Sequence, residues 1–131
     1  MGYTRDKCLY QLFLLSLQKK GKIKKIFSKQ GIERIAIYGM GLVGTSFYKL
    51  CLCNNIDVIY GIDVNEKIID GLQVLATEES RLIDADAIII TPLYDNKTII
   101  NELNRVSEAR IILIGDLLNE LLIALNVKDS Y

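Results

Sequence analysis

Hydrophobic positions in the chain follow two alternating patterns from about residue 31 onward. In the first pattern, short apolar runs are bounded by polar residues or glycine, which is typical of strands buried on both faces. Five such runs are present, and they predict strands at residues 35–38, 56–62, 72–75, 87–90 and 110–115.

In the second pattern, apolar residues recur every three or four positions, which predicts helices that bury one face. These segments lie at residues 42–53, from 77 onward, from Asp95 (as the N-terminal cap) through 106, and at 117–125. Asn65 suits the N-cap of a further short helix that runs to Ile69 and ends at Gly71.

Strands that alternate with helices predict a parallel sheet with right-handed crossovers. The fold class expected is therefore α/β: a Rossmann-like, three-layer fold around a five-stranded parallel sheet in the order 3-2-1-4-5. Such a sheet has a crevice between strands one and four, at the carboxyl ends of the strands, where ligands bind in folds of this kind.

Three glycines follow the first predicted strand with the spacing G-x-G-x-x-G: Gly39, Gly41 and Gly44. In nucleotide-binding proteins the first glycine permits a tight turn and the second lets the backbone approach a pyrophosphate. The third lets the helix lie close to the sheet. We expect the loop formed by Gly39, Met40, Gly41, Leu42, Val43 and Gly44 to bind phosphates, helped by the positive end of the helix dipole.

Asp63 ends the second predicted strand, 19 positions after Gly44. This is close to the spacing of roughly 20 residues at which an acidic residue binds the ribose hydroxyls. A carboxylate there would repel a 2′-phosphate, so we expect NAD to be preferred over NADP. Thr91 and Pro92 end the fourth strand at the same edge, around the predicted crevice.

The first 30 residues belong to no strand–helix unit, so we predict two parts: an N-terminal helical arm (1–30) and a Rossmann-like domain (31–131). Apolar residues at Leu9, Leu12, Phe13 and Leu17 form a stripe on a helix predicted over 4–18. The stripe predicts a homodimer through the arm; the alternative is that the arm folds back onto its own domain and the protein is a monomer. Residues 1–34 carry nine basic and two acidic side chains, a net charge of +7 that residues 35–131 balance. We interpret this as a solvated helix face, with no nucleic-acid partner.

The amino-acid composition reduces the number of functions that the sequence could have. The 131 residues contain no histidine and three cysteines without a metal-ligand spacing, so neither a catalytic residue nor a metal site is predicted. The apolar run near the N-terminus is far shorter than a membrane span, and a cytoplasmic protein is expected.

Residues 31–125 resemble small Rossmann-like modules found with capsular-polysaccharide and sugar-nucleotide proteins, alone or attached to glycosyltransferases. The resemblance rests on residues 35–41, 60–63, 69–74 and 85–92. It implies an NAD(P)-binding fold, phosphate contacts at 39–44, a ribose contact at Asp63 and adenine-side contacts near Thr91 and Pro92. It also implies a polysaccharide or sugar-nucleotide context and a glycosyltransferase partner.

Several functions fit this pattern. The one favoured is an accessory or regulatory module that binds NAD(H) or a sugar nucleotide. The alternatives are a minimal NAD-dependent oxidoreductase or epimerase completed by another chain, and a ligand-free Rossmann scaffold that mediates protein interaction. A coenzyme A-binding or potassium-channel-type regulatory domain is a more distant option.

Overall fold

A six-stranded sheet forms the centre of the protein, as seen in a computed structural model that describes residues 3–80 and 84–127. The strands are β1 (Arg34–Tyr38), β2 (Asp57–Ile62), β3 (Lys67–Ile69), β4 (Leu72–Leu75), β5 (Ala87–Ile90) and β6 (Arg110–Leu113). The helices are α1 (Arg5–Ser16), α2 (Lys22–Lys29), α3 (Leu42–Cys53), α4 (Thr77–Ser80), α5 (Asn96–Val106) and α6 (Ile114–Ala124).

The strand order is β3-β4-β2-β1-β5-β6. All neighbouring pairs are parallel except β3 and β4, which are antiparallel. The prediction of five strands, all parallel, in the order 3-2-1-4-5 is therefore wrong in strand count and in the order of the whole sheet. What holds is an α/β fold with a mostly parallel sheet that is Rossmann-like.

The additional strand lies where a short helix from Asn65 to Ile69 was predicted. Ile69 and Leu72 face each other across a two-residue turn made by Asp70 and Gly71, both of which have positive φ angles, 46° and 84°. This backbone suits a tight hairpin turn, and Asp-Gly is a favoured sequence for it. The turn folds β3 back onto β4, so the segment extends the sheet rather than forming a helix.

The last strand is shorter than predicted. Residues 110–115 were expected to be a strand, but β6 ends at Leu113 and α6 begins at Ile114. Leu113 itself keeps an extended backbone, with φ −76° and ψ 137°, and acts as the N-cap residue of α6. No connecting loop separates the two elements, so the apolar run passes directly from sheet to helix.

Helices cover both faces of the sheet. Ile35, Ile37 and Ile89 point toward α1, α2, α3 and α6 in one buried cluster, and Ala36 and Ile88 point to the other face, where α5 packs. This alternation of neighbouring strand residues gives the three-layer arrangement. Asp95 occupies the N-cap position of α5 as predicted, but with φ 57° and without a side-chain capping bond.

The N-terminal arm packs on its own domain. Helix α1 contacts both α3 and α6, and its Cys8, Leu12 and Leu15 are buried in the same cluster as the sheet residues. Phe13 and Leu17, however, are 55% and 64% exposed. The arm therefore folds back onto the rest of the chain, where α1 packs against α3 and α6.

No helix within residues 3–80 and 84–127 has both the length and the apolar character needed to cross a bilayer.

Candidate functional site

The loop between β1 and α3 turns sharply at Gly39. This residue has φ +89°, a conformation that side chains rarely adopt. A Cβ atom there would lie 2.7 Å from Thr91 Oγ1 and 2.8 Å from Pro92 Cδ. The first glycine of the pattern is therefore required both by its backbone angle and by the close approach of the loop after β5.

Gly44 and Gly41 meet different requirements. A Cβ atom on Gly44 would lie 1.8 Å from the carbonyl oxygen of Gly39, so only glycine lets α3 start this close to the end of β1. A Cβ atom on Gly41 would have no atom within 4 Å. Gly41 therefore faces open space, although it lies between two positions with no room for a side chain.

Helix α3 begins immediately after Gly41. The N–H of Thr45 donates to the carbonyl of Gly41 at 2.9 Å, which opens the helical hydrogen bonding. The amides of Leu42, Val43 and Gly44 precede that bond, and amides in the first turn of a helix are available to a ligand. The loop thus presents backbone donors at the positive end of the α3 dipole.

Asp63 is bonded to the same loop. Its Oδ2 accepts the N–H of Met40 at 2.8 Å, and its Oδ1 accepts the N–H of Val64 at 2.7 Å. The carboxylate therefore ties the end of β2 to the glycine loop. Because each oxygen has two lone pairs, both retain acceptor capacity for another donor. Sequence reasoning expected Asp63 at this edge but missed its bond to the loop, which no local sequence signal marks.

Thr91 joins the loop from the other side. Its hydroxyl lies 2.8 Å from the carbonyl oxygen of Tyr38 and 2.6 Å from that of Gly39, and the residue is only 4% exposed. Its backbone N–H also donates to Tyr38 O at 3.0 Å. Thr91 therefore fixes the end of β1 to the end of β5 and holds Gly39 in its turn.

A cavity of about 590 Å³ lies at these carboxyl ends of β1, β2 and β5. Eight of the nine predicted site residues line it: Gly39, Gly41, Leu42, Val43, Gly44, Asp63, Thr91 and Pro92. Met40 is the exception. Its side chain is 2% exposed and packs against Gly61, while its N–H is bonded to Asp63.

Other lining residues were not predicted. Tyr38, Val64, Leu93 and Tyr94 come from the ends of strands or the loops that follow them, and Tyr3 and Arg5 come from the N-terminal arm. Nothing in the local sequence links residues 3 and 5 to the glycine loop, since the contact depends on how α1 packs. The arm is therefore part of the wall of the cavity.

Tyr38 contributes a polar group to the wall of the cavity. Burial raises the pKa of its phenol, and the carboxylates of Glu102, Asp63 and Asp95 raise that pKa further. A phenol is protonated at neutral pH even at its usual pKa of about 10, so Tyr38 can donate a hydrogen bond. Together with Asp63 and the loop amides, it gives the cavity both donors and acceptors.

A smaller cavity of about 170 Å³ continues from the first toward β6. The two share Tyr3, Pro92 and Leu93, and the smaller one is also bounded by Asn96, Asp116 and Asn119. Among the residues that the structure describes, no group of three or more potential metal ligands is assembled. The groups that the cavity offers to a ligand are backbone donors and a few polar side chains.

No protein-family model matches this sequence, and no curated protein sequence is significantly similar to it. Among solved structures, the chain is similar to a D-isomer specific 2-hydroxyacid dehydrogenase from Xanthobacter autotrophicus Py2, determined in complex with NADPH and MES. The TM-score is 0.50 at 12% sequence identity, over 97% of this chain and 65% of the dehydrogenase. This chain thus spans about two thirds of that protein's length. At this level of identity the likeness shows the fold alone, and that fold is Rossmann-like.

Proposed function

We propose that this protein is a nucleotide-binding module whose ligand carries a diphosphate, with NAD(H) or a sugar nucleotide as the class of ligand. The observation that carries the proposal is the glycine loop. Gly39 and Gly44 are required by close neighbours, but Gly41, between them, borders an open cavity. A turn that served only the fold would need the first and third glycines and not the second.

The chemistry of the cavity supports the same conclusion. Amides at the start of α3 favour an anionic group, and Asp63 at the end of β2 offers acceptor oxygens to ribose hydroxyls. Its volume of about 590 Å³ falls within the range of about 300–1,000 Å³ for small-molecule sites. The similar dehydrogenase structure, which contains NADPH, agrees with a nicotinamide dinucleotide as one candidate.

Within this class, NAD is proposed to bind more tightly than NADP. The carboxylate of Asp63 would repel a 2′-phosphate, and the adjacent Val64 and Asn65 offer no compensating cation. Direct titration with both dinucleotides tests this preference. Tighter binding of NADP would show that Asp63 does not face the adenosine ribose.

The biological role proposed is accessory or regulatory, in polysaccharide or sugar-nucleotide metabolism in the cytoplasm, with a glycosyltransferase as a partner. Support for this role comes from the sequence resemblance of residues 31–125. A pull-down in which a glycosyltransferase is not enriched over a control protein would count against it.

We also propose a homodimer through the arm. The exposed apolar residues available for such an interface are Phe13 on α1 and Leu17, the residue that caps its C-terminal end, which are 55% and 64% exposed. A twofold arrangement would let one such patch bind its own copy. Sedimentation of the full chain and of a Phe13→Ser, Leu17→Ser variant tests this, and a monomeric wild type at tens of micromolar would contradict it.

The nucleotide-binding proposal is tested with a panel of NAD, NADP, UDP-glucose, ADP and coenzyme A. Ligand at 100 times its dissociation constant should add about 2.7 kcal/mol to stability, which raises the unfolding temperature measurably. Gly41→Val should abolish binding, because a branched side chain fills the space where a phosphate must approach. It should leave the fold intact, since no atom lies within 4 Å of that Cβ position.

Leu52→Val, at the exposed far end of α3, is the matched control and should bind like the wild type. Unchanged affinity in a folded Gly41→Val protein would overturn the site. A wild-type protein that binds nothing on the panel would instead favour the scaffold alternative.

A further inference from the structure

The N-terminal arm brings a positive charge to the cavity. Arg5, the first residue of α1, lines it, and so does Asp63, which follows β2. Among the lining residues that the structure describes, Arg5 is the one cation and Asp63 the one carboxylate. The glycine loop itself offers only backbone amides, whose combined dipole is equivalent to about half a unit charge.

The start of α1 is held firmly at this position. Thr4 caps the helix by accepting the N–H of Lys7 at 3.1 Å, and the hydroxyl of Tyr3 donates to Gln11 Oε1. Gln11, which is fully buried, in turn donates from Nε2 to Asn119 Oδ1 on α6 at 2.6 Å. These bonds fix the backbone on both sides of Arg5, while its exposed side chain stays free to reach a ligand.

The two charges approach the cavity from different sides. A Cβ atom on Gly115 would lie 3.3 Å from the ring of Tyr3, which places the start of α1 beside the start of α6, after β6. In the sheet, β1 and β5 lie between β6 and β2. Arg5 therefore lies on the β6 side of the glycine loop, and Asp63 lies on the β2 side.

We propose that Arg5 binds the diphosphate of the nucleotide, so that the arm completes the ligand site. The inference rests on the proposed function. A guanidinium group can bond two phosphate oxygens at once, and it supplies the full positive charge that the loop amides lack. Asp63 repels the phosphates, which orients the ligand with its ribose toward β2 and its diphosphate toward Arg5.

The experiment is a set of titrations with NAD, ADP and adenosine. The proteins are the wild type, Arg5→Ala, Arg5→Lys and Lys24→Ala, the last being an exposed cation on α2 that controls for net charge. Arg5→Ala should weaken NAD and ADP about 10- to 100-fold, the loss typical of a charge-assisted bond, and leave adenosine unchanged. Arg5→Lys should recover part of the loss, and Lys24→Ala should stay within about twofold of the wild type.

Salt dependence provides a second readout. The affinity of the wild type for ADP should fall with rising salt more steeply than that of Arg5→Ala, since one screened ion pair is missing in the variant. Equal ADP affinity in the wild type and Arg5→Ala would overturn the role of Arg5 and leave nucleotide binding standing. An equal loss for adenosine would also overturn it, because the effect would not involve phosphate. A wild type that binds none of the three ligands would exclude an adenine nucleotide as the ligand of this site, and with it the role of Arg5 in binding one. A wild type that also fails to bind UDP-glucose would remove the proposed function itself.

Discussion

Asp63 and Asp86 lie at opposite edges of the same sheet and use their carboxylates in similar ways. Asp63 accepts backbone N–H groups from Met40 and Val64. Asp86 accepts them at one oxygen, from Glu33 at 2.8 Å and Arg34 at 2.9 Å, just where β1 begins. Each carboxylate thus secures the chain at one end of β1, and in this respect the two residues are equivalent.

They differ in what else they face. Asp63 is half-buried and lines the large cavity, whereas Asp86 is exposed and lines neither cavity. The backbone of Asp86 also bonds to Arg34 and Arg110, which joins the starts of β1, β5 and β6. A carboxylate that accepts two backbone amides is therefore no sign of a ligand site by itself. The open space beside Asp63 is what distinguishes it from Asp86 and makes it the candidate for binding a ligand.

The largest expected effect is on stability, and it differs between two glycines at opposite ends of β1. Gly44→Ala should destabilise the fold by about 3 kcal/mol or more, because its Cβ atom would overlap the carbonyl oxygen of Gly39. Gly31, shortly before β1 at the other edge, has φ +77° with no atom near its Cβ position. Gly31→Ala should therefore cost only the backbone strain, about 1 kcal/mol. Urea unfolding of both variants measures the difference, and equal losses would show that the cavity edge is not the tighter one.

A smaller effect, on binding, separates the two aspartates directly. Asp63→Ala should weaken NAD binding about tenfold or more, since it removes the ribose acceptor and loosens the glycine loop. Asp86→Ala should leave NAD affinity within about twofold, because the residue lies at the far edge. Calorimetric titration of both variants makes the comparison. If the two substitutions weakened binding equally, the effect would come from general loosening of β1 and not from contact with the ligand.

The smallest effect is a pH dependence at Asp86. Its hydrogen bonds to the amides of Glu33 and Arg34 lower the pKa of its carboxyl in the folded protein. The stabilisation is therefore complete above the unfolded-state pKa of about 3.9 and is lost as the pH falls through the lower folded-state pKa.

Asp86→Asn should accordingly unfold at lower urea than the wild type at pH 7, and the gap should narrow as the pH falls below about 4. Asp84→Asn, two residues earlier, controls for the loss of one carboxylate near the same strand. A gap that stayed constant down to pH 2.5 would contradict the assigned bonds.

The glycine loop and its surroundings could be predicted because their requirements are local. A short stretch of sequence is enough to predict each of three features: the turn at Gly39, the close helix start at Gly44 and the strand that ends at Asp63. The structure brings these residues to one cavity. Their contacts with a ligand stay a prediction.

Other predictions were wrong or incomplete, for reasons that the structure identifies. The helix expected at Asn65 was inferred from a capping residue, whereas the stronger signal was the Asp70-Gly71 turn, which favours a hairpin. The last strand was predicted to extend to Gly115, whereas α6 begins at Ile114. The boundary was missed because no polar residue or glycine separates the strand from the helix in the sequence. The position of Tyr3 and Arg5 at the cavity could not be predicted from local sequence. It depends on contacts between residues that are more than 100 positions apart in the sequence.

Those distant contacts have a consequence during synthesis on the ribosome. One side of α1 packs on α6, and buried Gln11 donates to Asn119, which is 108 positions later in the sequence. At about 5–20 residues per second, the roughly 100 intervening residues take about 5–20 s to emerge. Throughout that interval the side of α1 that packs on α6 is not yet covered by α6. The covering of α1 therefore depends on residues that are translated well after α1 itself.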